Sequence, residues 1–98
     1  MSKLAPIHPG EILNEEFLKP LDMSMNKLAT ELRVPANRIT HIVNGDRGIS
    51  GDTALRLARY FGTSPEFWLN LQAHYDLEVA RDQFEREVEK IQPRTTAV

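Results

Sequence analysis

A chain of 98 residues, 41% hydrophobic and 27% charged, suffices for one compact domain and excludes both a second independent domain and a wholly disordered chain. The lack of cysteine excludes disulfides, thiolate nucleophiles and thiolate metal sites, and no apolar run approaches the roughly 20 residues needed to span a bilayer. With no secretory signal in the opening Met1-Ser-Lys-Leu-Ala-Pro6, a cytoplasmic location is expected, and a formal charge of −2 leans against nucleic acid until its distribution is considered.

Every periodic stretch predicts helix and none shows the alternation of a half-buried strand, so the fold class is all-α. The first helix is expected from Pro9 to Leu18, with Ile12, Leu13, Phe17 and Leu18 as its apolar face and Pro20 as its stop. The second starts at the N-cap Ser24 and carries Met25, Leu28, Ala29 and Leu32 on one side. After a turn at Arg33-Val34, a third helix runs from Pro35 to Asn44-Gly45. A fourth runs from Ser50 or Gly51 to Phe61, packing through Ala54, Leu55, Leu57, Ala58 and Phe61 and ending at Gly62. The fifth has the strongest start, Ser64-Pro65-Glu66, and continues unbroken to Ile91. Its early face is Phe67, Trp68, Leu71 and Tyr75, its later one Leu77, Phe84, Val88 and Ile91. Four short helices leave that later stripe nothing to pack on, so a partner helix is expected, most simply from a second copy. The single domain would have its core at about residues 7–75, a dimerisation helix at about 64–91 and frayed ends at 1–5 and 94–98.

Charge is unevenly placed along this plan. From Ser24 to Arg59, six basic residues (Lys27, Arg33, Arg38, Arg47, Arg56 and Arg59) face three acidic ones, a surplus of three positive charges. From Thr63 to Val98, four basic residues face seven acidic ones, a surplus of three negative charges. The basic middle coincides with a short helical pair in which Ala29, Val34, Ile39 and Ile42 occupy the crossing, turn and anchor positions of a DNA-reading helix-turn-helix. Ordinary helical hairpins share that pattern, so it leaves both readings open.

The third helix is more telling. At about 100° per residue, Pro35, Ala36, Ile42 and Val43 fall with Ile39 on the inner side. Asn37, Thr40, His41 and Asn44 fall on the outer side, flanked by Arg38, with no carboxylate among them. Such a face suits base edges and phosphates. Base contacts are therefore expected from Asn37, Arg38, Thr40 and His41, and phosphate contacts from Ser24, Asn26, Lys27, Asn44 and Arg47.

The chain resembles the HigA-type antitoxins of the Xre-like helix-turn-helix class. The resemblance rests on His8-Pro-Gly-Glu-Ile-Leu13, Val34-Pro-Ala-Asn-Arg-Ile39, Asn44-Gly45 with Arg47-Gly-Ile-Ser50, Asp52-Thr-Ala-Leu-Arg-Leu-Ala58, and Phe61-Gly-Thr-Ser-Pro-Glu-Phe-Trp-Leu-Asn-Leu-Gln72 with Tyr75-Asp-Leu77. It implies a five-helix, lambda-repressor-like fold with a longer last helix, usually dimeric, that represses its own operon and neutralises a toxin of the RelE-like ribosome-dependent mRNA endonuclease type. Two positions depart from the class: Met25 stands where a phosphate-contacting Gln is common, and Arg33 where a turn Gly is common. A stand-alone regulator, or a module that caps a toxin without binding DNA, are the alternatives.

The dimer surface is expected to comprise Phe67, Leu71, Tyr75, Leu77, Phe84, Val88 and Ile91. Phe67, Trp68 and Tyr75 have core spacing rather than that of a base-stacking set. His8 is expected to organise the approach to the first helix, and His74 to be structural or interfacial. The run from Asp82 to Glu89 reads as a solvated face paired with Arg81, Arg86 and Lys90, or alternatively as a surface for a basic toxin. No metal or other cofactor is expected, since the three histidines share no ligand spacing, and no nucleophile has a nearby base, so no enzyme is expected either.

Overall fold

Helix starts in this chain are fixed by side chains that satisfy the first free amides. In the computed structural model, which describes residues 5–95, His8 Nδ1 accepts from the Gly10 amide at 2.9 Å to open α1 (Pro9–Ile12). Ser24 Oγ caps α2 (Met25–Leu32) through the Lys27 amide, Ser50 Oγ caps α4 (Gly51–Phe61) through Thr53, and Ser64 Oγ caps α5 (Pro65–Glu89) through Phe67. Pro35 precedes α3 (Ala36–Asn44) in extended backbone, one residue outside the helix it was expected to begin. The described residues contain these helices and no strand.

The helix ends before α5 are fixed by left-handed residues. Gly45, at φ 87°, lets its own amide and that of Asp46 reach back to the carbonyls of Ile42 and His41. Arg33 does the same for α2, and Asp22, at φ 52°, for the first helix. Correcting the expectation of one α-helix from Pro9 to Leu18, α1 widens into a π-helical segment over Leu13–Leu18, with the Lys19 amide bonded to the Asn14 carbonyl at 2.9 Å. Pro20 is the physical reason: it offers the Glu16 carbonyl no N–H and its ring crowds that carbonyl, so the regular ladder cannot continue.

The core is one cluster built around Trp68, Leu13, Leu28, Ile39, Ile42 and Leu57, all fully buried, with the small Ala29 and Ala54 among them. The Trp68 indole N–H donates to Thr63 Oγ1 at 2.7 Å, so its polar edge is satisfied. α1 crosses α3 so closely that a Cβ on Gly10 would lie 1.8 Å from the Ile42 carbonyl oxygen; only glycine fits there.

Some residues expected inside are not. Leu55 is 62% exposed, because it lies well round the helix from the buried face of Thr53, Ala54, Leu57 and Ala58. Pro35 and Ala36 are exposed at the start of α3, before its inner face meets α2. Phe67 lies about 100° round α5 from Trp68 and is also exposed, with its ring edge against the indole. His74 is exposed on the side away from Trp68, near Glu78. From Arg81 onward every described residue of α5 is exposed. No helix among the described residues is long and apolar enough to cross a membrane. Most of the expected fraying at 1–5 and 94–98 concerns residues 1–4 and 96–98, outside the described residues.

Candidate nucleic-acid interface

The turn between α2 and α3 is held from two sides. Within it, the Arg33 and Val34 amides donate to the Thr30 and Ala29 carbonyls at 3.1 and 3.0 Å, which requires Arg33 at φ 60°. From α4, Arg56 Nη1 donates to the Leu32 carbonyl at 2.7 Å and to that of Arg33 at 3.3 Å. Ala29, Ile39 and Ile42 are buried and Val34 is half-buried, as a helix-turn-helix requires. Met25 packs against this core, so its side chain belongs to the fold and not to a phosphate site.

The outer face of α3 has the expected make-up. Asn37, His41 and Asn44 are exposed; Thr40 is half-buried, its hydroxyl donating to the Ala36 carbonyl at 3.2 Å and keeping its oxygen available as an acceptor. His41 is exposed beside the loop that follows α3, its Nδ1 2.9 Å from Asp46 Oδ1. Arg38 sits deeper, with its side chain 21% exposed: Nη1 donates to Asp52 Oδ2 at 2.6 Å and Nε is buried without a partner. The other oxygen of Asp52 accepts from Arg56 Nε at 2.7 Å. Hydrogen bonds from Arg56 and then Arg38 hold the Asp52 carboxyl below its usual range.

Of the residues expected at phosphates, Ser24, Asn26, Lys27 and Arg47 are exposed around the same hairpin, as is Asn44. Lys27 pairs with Glu31 at 2.8 Å, and that hydrogen bond raises its pKa. Arg47 lies in the loop after α3, which is fastened to α5: Gln72 Oε1 accepts from the Ile49 amide at 2.7 Å while its Nε2 donates to Asp76 at 2.9 Å. Next to that fastening, the His8 ring stands edge-on to Tyr75 at 4.8 Å, and burial lowers its pKa. Asp52, Arg56 and Gln72 escaped the sequence reading as parts of the site. The Asp52–Arg56 spacing was a visible signal, whereas nothing in the sequence pointed to Gln72.

On α5, Leu71 packs on the chain's own core and Tyr75 on His8, so both are partly used within one copy. Leu77, Phe84, Val88 and Ile91 remain exposed, at 49%, 54%, 58% and 68%.

The helix-turn-helix family model matches residues 15–68. Virulence-associated protein I of Dichelobacter nodosus is 48% identical over 95 residues, covering 97% of this chain and 87% of that protein. Among solved structures, the Pseudomonas aeruginosa antitoxin HigA with the higBA promoter has a TM-score of 0.88 and 47% identity, covering 92% of this chain and 99% of that one. PA4674 of Pseudomonas aeruginosa, in complex with its 18-bp operator DNA, has a TM-score of 0.89 and 46% identity, covering 96% of this chain and 100% of that one. Likeness at this level, running through α5 as well as the hairpin, means that the chain belongs to the helix-turn-helix family and, within it, to the HigA-type antitoxins, a group of DNA-binding proteins and not of enzymes.

Proposed function

We propose that this chain is a cytoplasmic antitoxin that represses its own operon as a dimer and neutralises a RelE-like mRNA endonuclease. One observation carries the DNA half: the outer face of α3 presents Asn37, Thr40, His41 and Asn44 without a carboxylate, on a fold that two relatives use against promoter or operator DNA. In this reading α3 lies in the major groove, with Asn37, Arg38, Thr40 and His41 at base edges and Ser24, Asn26, Lys27, Asn44 and Arg47 at phosphates. The chain acts as one domain whose core, about residues 7–75, carries the hairpin. Copies associate through Leu77, Phe84, Val88 and Ile91, with Phe67, Leu71 and Tyr75 at the margin of the contact. Two-fold symmetry then sets half-sites roughly 34–36 Å apart or a multiple of that.

The test is a gel-shift titration against the promoter upstream of the chain's own gene, paired with co-expression of any short toxin-like reading frame beside that gene. Specific retardation that falls steeply with salt, together with rescue of growth, is the expected result. Growth rescue without retardation at low salt leaves only a toxin-capping module. Retardation without a toxin gene nearby leaves a stand-alone regulator.

A further inference from the structure

Asp52 belongs to the first turn of α4, outside the helix-turn-helix hairpin, yet one of its oxygens reaches the hairpin directly and the other reaches it through Arg56, a neighbour on α4. Oδ2 accepts from Arg38 Nη1, on the recognition helix, at 2.6 Å; Oδ1 accepts from Arg56 Nε at 2.7 Å. Arg56 passes the connection on to the Leu32 and Arg33 carbonyls in the turn. One carboxylate therefore fixes the recognition helix to the end of the helix before it.

The donors left on Arg38 are informative. Nε is buried and unpartnered and Nη1 has given one N–H to Asp52, whereas Nη2 is neither bonded nor among the buried unpaired atoms. The donors this guanidinium still has for an outside acceptor are thus at its Nη1–Nη2 edge, the second Nη1 hydrogen with those of Nη2. Two parallel donors at such an edge match the N7 and O6 acceptors of guanine. A flexible arginine presents that edge in many orientations, and one pinned along its side presents it in one.

We propose that Asp52 is a specificity-determining positioning residue that never touches DNA: it orients Arg38 so that the Nη1–Nη2 edge reads one base pair. The inference rests on the operator-binding reading and is tested beside it. The full chain and its Arg38→Met, Asp52→Asn, Asp52→Glu and double Arg38→Met/Asp52→Asn variants are titrated by fluorescence anisotropy. The duplexes are the promoter DNA, a scrambled DNA and a series with single base-pair changes, and circular dichroism melts verify folding. Asp52→Asn should lower operator affinity about tenfold and erase preference at the same base pair as Arg38→Met. The double variant should be no weaker than Arg38→Met alone, and Asp52→Glu should restore most of the preference. If Asp52→Asn does not fold, Asp52→Ser is read in the same series. A loss equal on every duplex, or losses that add in the double variant, overturns the inference alone, because a merely structural Asp52 would behave that way. A wild-type chain that binds promoter and scrambled DNA equally overturns the operator-binding reading and this inference with it.

Discussion

Arg33 holds a backbone conformation that costs a non-glycine residue about 1 kcal/mol, and the turn of the helix-turn-helix depends on it. Its side chain is exposed and its carbonyl serves Arg56 whatever the side chain is, so Arg33→Gly isolates the backbone term. Urea unfolding should show a gain of about 0.5–1 kcal/mol; a loss would mean that the arginine side chain stabilises the turn by more than its backbone costs. His8 makes a pH-dependent contribution with a definite sign. Its Nδ1 can accept from the Gly10 amide only while unprotonated, and burial lowers its folded pKa below the ordinary 6.5. The unfolded chain therefore takes up the proton first as pH falls. The cap is fully present above 6.5 and its contribution is lost as pH falls from there through the folded pKa. Melting temperature should drop between pH 7.5 and 5 in the native chain, and His8→Asn, which keeps a capping acceptor without a titrating ring, should flatten that part of the profile.

At the scale of elements, what the sequence made legible was local and what it hid was distant. The Ser24, Ser50 and Ser64 caps, the Gly45 and Gly62 stops and the apolar stripes of α2 and α3 depend on neighbours within a turn, so spacing reveals them. The π-helical widening before Pro20 was foreseeable only as a stop, because a proline states that the ladder fails and not how the chain absorbs the failure. The outer face of α3 was readable as a set of residue types. The clamp of Arg38 by Asp52 and the bonds of Arg56 to the turn join residues 14 to 24 positions apart, which periodicity cannot pair. The same holds for Gln72, a polar residue in a long helix whose value lies in the loop it fastens. Gln72→Ala should orphan the Ile49 amide, costing about 1–2 kcal/mol in urea unfolding, and speed hydrogen exchange at that amide. Loosening the loop that carries Arg47 should also lower the salt slope of DNA binding by about one. An unchanged slope would assign Gln72 to stability alone.

For the whole molecule, a net charge near zero conceals a division of labour. The basic segment forms the hairpin, while the acidic segment runs out along α5, which is exposed from Arg81 onward among the described residues. In the proposed complex the acidic part stands away from the phosphates, which would remove the repulsion that an even mixture would impose and let the helix serve as the joint between two copies. A single hairpin reading one half-site binds weakly. In the proposed dimer, two hairpins joined by α5 would convert the second contact into an intramolecular one, so affinity would depend on an interface that never meets DNA. Phe84 lies mid-stripe between Leu77 and Ile91 and is 54% exposed in one copy. Phe84→Asp should therefore leave the helicity and the Trp68 core of each copy intact, since Phe84 is not among the described residues packed on that core, and lower the melting temperature only by what dimerisation contributes. Placed against its symmetry mate, the new carboxylate would be desolvated beside a like charge. Sedimentation equilibrium should report a dimer for the native chain and a monomer for Phe84→Asp, and operator affinity should fall by about 10²- to 10³-fold while single half-site affinity stays the same. A native chain that is monomeric at every concentration, or a Phe84→Asp variant that binds the full operator undiminished, would remove α5 as the joint and leave its apolar stripe to a different partner.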